Sequence, residues 1–326
     1  MSKYCQHLYN GITFHFKGLT LCNEIFNKEN SYIEYKGDFL KNFLERRNNI
    51  IHNMKNDSCL DYCEKCIHLK DTGNEEINDK IRKIDIFHWN ECNCGCFYCS
   101  NRISTKFKIT NHKVKGQINI LKSLDKLKKL GVLDEKLAIH THGGEPTILK
   151  EFRDILKLAL KNNYSVNIMS NGILYEKLIP QALKIPDSVI TISLDAGTRE
   201  TYKQIKKVDK FDDVVKNIKS YVKDLGEEYS SHIIMKYIIL KGINDNKEEI
   251  DKWIDICVSI GIKTFMPSFE FVYGINNSDR VSIPPHIIEL YNYIKTSVKE
   301  INPNFAITEY DFFKEKILKY QSYNIR

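Results

Sequence analysis

No stretch of this sequence approaches the roughly 18 apolar residues of a membrane span. The N-terminus, Met-Ser-Lys-Tyr-Cys-Gln, lacks the apolar core of a signal peptide. A soluble cytoplasmic protein without a membrane partner is the expectation. A long basic block is also missing. The formal charge of +7 is spread through a Lys-, Asn- and Ile-rich background, which argues against nucleic acid as a partner. There is no tandem repeat and no low-complexity segment. Of ten cysteines, only Cys257 falls after residue 100. That distribution excludes a secreted disulfide scaffold, which is short and spreads its cysteines through the fold.

What is present begins with length: 326 residues, 42% of them hydrophobic, enough for one large domain or two smaller ones. From about Lys83, short apolar runs at 83–88, 137–142, 165–169, 189–194, 232–239 and 263–268 read as buried strands. Helical spacing separates them. Ile118, Leu121, Leu124 and Leu127 recur every three residues; Phe152, Ile155, Leu156 and Leu158 to Leu160 mark a second helix. Val214, Val215, Ile218 and Val222 mark a third, and Ile250, Trp253, Ile254 and Cys257 a fourth. Alternation of this kind implies right-handed βαβ units and a parallel sheet. Six units predict an α/β fold, a partial (β/α)6 TIM-like barrel with function at the C-terminal strand ends. Three regions are expected: a small cysteine-rich unit over 1–80, the barrel over 81–270 and an extension over 271–326. The first contains the alternating stretch Ile12 to Phe16 and a helix from about Asp38 to Met54. It ends at the polar stretch from Asp71 to Lys80. In the last, Pro284-Pro285 precede an apolar helix from Ile287 to Val298.

The chemistry is concentrated where the first strand ends. Cys92, Cys96 and Cys99 are separated by three residues and then two. A closed zinc or electron-transfer site takes four protein ligands. Three cysteines on one tight loop suit a [4Fe–4S] cluster with one iron left open for a ligand. On spacing alone, a zinc knuckle with Cys94 as fourth ligand is the alternative, and a zinc-binding regulatory α/β protein is the rival function. Further along, Gly143-Gly144-Glu145-Pro146 closes the second strand, Ser170-Asn171-Gly172 the third and Ser193-Leu194-Asp195-Ala196-Gly197 the fourth. Paired glycines let backbone approach a ligand. A Ser-x-Asp pair on a strand points both side chains to one face, where they suit a ribose diol.

Cys92-Asn93, the aromatic Tyr98 before Cys99 and the ordered strand-end motifs resemble the radical SAM superfamily, over about residues 83 to 270. The resemblance implies a [4Fe–4S] cluster on Cys92, Cys96 and Cys99, whose open iron binds S-adenosylmethionine (SAM) and whose electron releases a 5′-deoxyadenosyl radical. It also implies SAM contacts at Tyr98, at Gly143, Gly144, Glu145 and Pro146 for the methionyl amine, and at Ser193 and Asp195 for the ribose. Lys206 stands where family members often carry an Arg. Ile238 and Ile239 are candidates to flank the adenine, with core packing as their alternative.

The first 80 residues repeat the spacing at Cys59, Cys63 and Cys66, with Cys5 and Cys22 in addition. Cys5, Gly18, Cys22, Cys63 and Cys66 resemble, approximately, a SPASM/twitch auxiliary domain. Gly18 lies three residues before Cys22 rather than four, and the unit precedes the barrel. The resemblance implies a second [4Fe–4S] cluster on Cys5, Cys22, Cys63 and Cys66, with Cys59 as an alternative ligand. Zinc in the same thiolates is the other reading, and His7, His15, His52 or His68 would replace a thiolate. Families of this kind act on peptides, proteins or carbohydrates. They draw electrons from a reducing partner such as flavodoxin or ferredoxin.

Overall fold

Strands form where β-branched and aromatic residues cluster, because such side chains pack well on a pleated surface. Val189 to Ser193, reading Val-Ile-Thr-Ile-Ser, is one such run. A computed structural model describes residues 3–22, 32–56, 58, 63–64, 66, 68–71, 78–99, 118–270 and 283–309. The chain divides into two compact units. One takes its described residues from 1–91, 112–167 and 185–187, the other from 92–111, 168–184 and 188–326.

In the first unit, β1 (Lys3–Cys5) pairs antiparallel with β5 (Leu69–Asp71). β2 (Gly11–His15), β3 (Gly18–Thr20) and β4 (Tyr32–Ile33) form an antiparallel meander. β2 then lies parallel to β6 (Ile81–Phe87), and β6 parallel to β7 (Leu133–Thr141). Residues 11–20 therefore extend the sheet of the first strand of the βα series. Helices α1 (Gln6–Asn10), α2 (Phe39–Lys55), α3 (Ile120–Lys129) and α4 (Lys150–Asn162) belong to this unit. Asp38 caps α2 by accepting from the Lys41 N–H, and Asn119 caps α3 by accepting from Lys122. Buried Arg47 of α2 donates to the Leu8 carbonyl at 3.0 Å and also to the carbonyls of Tyr9 and Asp79. Its guanidinium joins α2, α1 and the segment entering β6.

β8 (Ser165–Ser170) has its first three residues in the first unit and its last three in the second. The second unit holds β9 (Val189–Ser193), β10 (Ile233–Ile239), β11 (Thr264–Phe269) and β12 (Ala306–Ile307), parallel and adjacent in that order. Its helices are α5 (Ile179–Ala182), α6 (Arg199–Lys206), α7 (Phe211–Leu225), α8 (Lys247–Ile260) and α9 (Pro285–Ile301). Every residue of β10 and β11 is buried, the mark of parallel strands covered on both faces.

The result is an α/β fold of mostly parallel strands, with the six expected strands present as β6 to β11. α2 and α9 also fall where the sequence predicts them. α3 differs in its face. Ile120, Ser123, Leu124 and Leu127 are buried, whereas Ile118 and Leu121 are only half-buried. A repeat of three drifts around a helix of 3.6 residues per turn, and the spacing i, i+3, i+4, i+7 keeps one face inward. Among the described residues, no helix is long and apolar enough to cross a membrane.

Candidate functional site

The loop bearing Cys92, Cys96 and Cys99 follows β6 in sequence and belongs to the second unit. Cys92 is exposed, Cys96 and Cys99 are half-buried, and Cys94 is buried. The Cys94 N–H donates to Cys92 Sγ at 3.4 Å, and Asn171, just after β8, directs its Nδ2 at the same sulfur from 3.8 Å. Asn171 also donates to Asn93 Oδ1 at 2.7 Å. A hydrogen bond with the Cys94 thiol, aided by the charge of Lys206 and opposed by burial, lowers Cys96 to about 6. Hydrogen bonds to Cys92 and Cys96, then burial, push the Cys94 thiol up. Thiols set among N–H donors, with a cation nearby, are a donor set that fits an iron–sulfur cluster. Among the described residues, no three His, Cys, Asp or Glu side chains are grouped to hold a single metal ion.

Tyr98, Asp195 and Lys206 meet in one buried network. The Tyr98 hydroxyl donates to Asp195 Oδ2 at 2.6 Å. Lys206 Nζ lies 2.5 Å from that oxygen and donates to the Tyr98 hydroxyl at 2.9 Å. Asp195 Oδ1 accepts the Ile238 N–H at 2.9 Å. Burial acts to lower the Lys206 ammonium, but Asp195 and then Cys96 outweigh it and the net direction is up. Burial, then the negative charge of Asp195, raises Tyr98 well above an ordinary phenol. Ser193 and Asp195 do not share one extended strand. β9 ends at Ser193, which is half-buried, and Asp195 adopts φ +59° in the left-handed region. Ile238 and Ile239 are buried on β10; Ile238 lies in an apolar cluster with Ile205 and Leu240, against which Phe97 and Tyr98 pack.

The Gly143 to Pro146 motif follows β7 in the first unit. Its glycines are required by the chain's own backbone. A Cβ on Gly143, at φ +112°, would stand 2.7 Å from the Trp89 carbonyl oxygen, and one on Gly144 would stand 2.0 Å from that of Glu91. Glu145 is buried at 1% exposure. Its Oε1 accepts from the Thr147 N–H at 3.2 Å and the Thr147 hydroxyl at 2.7 Å, capping the turn that Pro146 begins.

Sequence reading missed a second polar group in this unit. Asp85 on β6 is registered between Thr13 of β2 and His140 of β7. Its carboxylate lies 3.1 Å from Lys83 Nζ and 3.5 Å from both His140 Nδ1 and His142 Nε2. Phe87 stacks on His142 at 5.1 Å. Burial opposes ionisation of Asp85, but His142, Lys83 and His140 together hold its carboxyl low. Burial, then Lys83, lowers His140 to about 4. The available signal was alternation: Lys83, Asp85 and Phe87 fall on one strand face.

Of the N-terminal cysteines, Cys5 ends β1 and is registered against Leu69. The Leu69 N–H donates to the Cys66 carbonyl, and the Cys66 N–H to the Cys63 carbonyl, each at 3.0 Å. Cys5 is thereby set beside the Cys63–Cys66 turn. The His7 and His68 rings meet at 4.5 Å. Cys22 is half-buried after β3, and Cys59 lies outside the described residues. Gly18 opens β3 at φ +152°, where a Cβ would stand 2.3 Å from the Ile33 carbonyl oxygen.

"GTPase Obg" of Brachyspira hyodysenteriae is 30% identical over 182 residues, 53% of this chain and 25% of that protein. The present chain contains no Gly-Lys dipeptide, so the phosphate-binding P-loop signature is not part of the shared stretch. A probable GTP 3′,8-cyclase of Thermococcus kodakarensis is 27% identical over 160 residues, 48% of this chain and 47% of the cyclase. The chain thus spans a quarter to about half the length of these relatives. Among solved structures, Streptococcus suis SuiB bound to precursor peptide SuiA superposes with a TM-score of 0.54 at 14% identity. That match covers 88% of this chain and 58% of SuiB, and it shows a shared fold. SuiB bound to S-adenosylmethionine gives 0.53 at 14% identity, over 85% of this chain and 57% of SuiB. The model of the radical SAM superfamily matches residues 86–257, more than half of the sequence, and this chain belongs to that superfamily.

Proposed function

We propose that this chain is a radical SAM enzyme that modifies a peptide, protein or carbohydrate substrate, with Cys92, Cys96 and Cys99 holding the SAM-binding cluster. The observation that carries the reading is the cysteine loop itself: three thiols of graded exposure after β6, with N–H donors directed at Cys92. When bound, the cluster and SAM supply the electron and the 5′-deoxyadenosyl radical that takes hydrogen from the substrate. Asn171 orients the loop through Asn93. The turn at Gly143 to Pro146 offers backbone groups to the methionyl amine, and Ser193 is the ribose contact. In this reading Glu145 acts by shaping the turn, since its Oε1 is occupied by Thr147.

Cys5, Cys22, Cys63 and Cys66 are the proposed ligands of an auxiliary [4Fe–4S] cluster. The Cys5–Leu69 register and the Cys63–Cys66 turn support that grouping. A second cluster would accept the electron left on an oxidised substrate, and a flavodoxin or ferredoxin would reduce the first.

The test is anaerobic reconstitution with iron and sulfide counting, followed by dithionite and SAM. About eight irons per chain are expected for two four-iron clusters, together with 5′-deoxyadenosine. A double Cys63→Ala, Cys66→Ala variant should fall to about four irons while still cleaving SAM. No cleavage under strong reduction would sink the enzyme reading, and stoichiometric zinc without sulfide would favour the zinc protein. Because the curated cyclases act on GTP by name, GTP belongs in the assay as a competing substrate. Its consumption would replace the peptide or carbohydrate assignment.

A further inference from the structure

Asp195 and Lys206 have the residue types of cofactor contacts, yet neither has a free polar face. Their exposures are 0% and 1%. Asp195 accepts from Tyr98 and Lys206 at one oxygen and from the Ile238 N–H at the other. Lys206 is tied to the cysteine loop twice: its ammonium meets the Tyr98 hydroxyl, and its carbonyl accepts the Gly95 N–H at 2.7 Å. Gly95 precedes Cys96 and Tyr98 precedes Cys99, so each tie falls on the residue next to one of the three thiols.

We propose that Lys206, Asp195 and Tyr98 form a lock that positions the cysteine loop, and that Lys206 is a positioning residue rather than a ligand of SAM. This deepens the radical SAM reading above and rests on it. The lock is anchored on its far side. Asn244 Nδ2 donates to the Asp195 and Ile238 carbonyls, each at 2.8 Å. These bonds hold Asp195 in a left-handed conformation that a non-glycine residue adopts at a cost. A buried ion pair tolerates its desolvation only while every partner is in place, and loss of one partner strands the other charge. The lock therefore works as one unit, with Ser193 left as the polar contact of the Ser-x-Asp pair.

The two roles of Lys206 separate experimentally. Wild type, Lys206→Met and Tyr98→Phe would be reconstituted anaerobically. Total iron, the rate of iron loss to a chelator, and the EPR spectrum of the reduced cluster with and without SAM would be recorded. If Lys206 acts through the loop, Lys206→Met holds less than half the wild-type iron at this site. Tyr98→Phe, which removes only a hydroxyl, releases iron severalfold faster than wild type, and the clusters that remain still change their spectrum on SAM addition. If Lys206 instead binds SAM, Lys206→Met keeps its iron and loses the SAM response; that result overturns the proposal. Should Lys206→Met fail to fold, Tyr98→Phe decides alone, and iron release equal to wild type overturns the lock. Wild-type protein that takes up no iron refutes the radical SAM reading itself, and the lock with it.

Discussion

The Glu145 N–H donates to the Glu91 carbonyl at 2.7 Å, and a Cβ on Gly144 would stand 2.0 Å from that same oxygen. The turn after β7 is thus seated on the residue that immediately precedes Cys92. Neither side of the contact is a flexible side chain, so a methyl group at 144 must move backbone. Gly144→Ala should cost about 3 kcal/mol, the upper part of the usual range for overpacking. A lower urea midpoint at unchanged slope is the measurement; a wild-type midpoint would show that the turn yields freely.

Glu249 clasps the start of α6. Its Oε1 accepts the N–H groups of Gly197 and Thr198 at 2.8 and 2.9 Å, and it is 93% shielded from solvent, with 7% exposure. Gly197 ends the Asp195 motif and Thr198 follows it. Glu249→Ala leaves both N–H groups without their acceptor and should destabilise the protein by about 2–4 kcal/mol. Glu249→Gln keeps an acceptor oxygen and should lose less. Thermal unfolding of the two variants side by side checks the order, and equal losses would contradict it.

The strands were legible because buried parallel strands are near-continuous apolar runs, and the run at 232–239 became β10 at Ile233–Ile239. Helix α2 was legible as a helix-like run from about Asp38 to Met54, within a residue of its observed ends. The cysteine loop and the strand-end motifs were legible as residue types in order. Their partners were not. That Asp195 would be enclosed by Tyr98, Lys206 and Ile238 depends on a positive φ two residues past β9, and strand alternation has no meaning there. The Asp85 group is hidden in the sequence because it depends on the β6–β7 register, which sets Asp85 opposite His140 and which alternation within one strand does not fix. For Gly143 and Gly144 the motif offers a ligand close backbone approach, and their seat against residues 87–91 is a tertiary contact that residue types in order do not carry.

The histidines of the first unit make stability depend on pH. Burial, with Lys17 and His142 adding to it, lowers His15 to about 3; burial and Lys83 lower His140 to about 4. The unfolded chain takes up these protons near pH 6.5, before the folded one does, so stability must fall as pH drops from about 6.5 toward 4. Each histidine can contribute about 3 kcal/mol to that loss. Asp85 has a depressed carboxyl, so its contribution is present above the unfolded value of about 3.8 and is lost only below it. Urea unfolding at about pH 7, 5.5 and 4.5 should show a decline across this window. His140→Gln should flatten it, and an unchanged slope in that variant would remove His140 as a cause.

Cys94 separates a ligand from a bystander within one loop. At 4% exposure it faces the interior, while Cys92 is exposed and Cys96 and Cys99 are half-buried. Its backbone serves the loop by donating to Cys92 Sγ, and an alanine at 94 keeps that N–H. Cys94→Ala should therefore retain the wild-type iron count, with a stability loss of about 1 kcal/mol from the small cavity. Cys96→Ala should lose about four irons, one cluster's complement. Iron and sulfide counts on the two variants, reconstituted in parallel, make the comparison. Loss of iron in Cys94→Ala matching that in Cys96→Ala would make Cys94 a ligand and return the loop to the four-thiolate zinc reading.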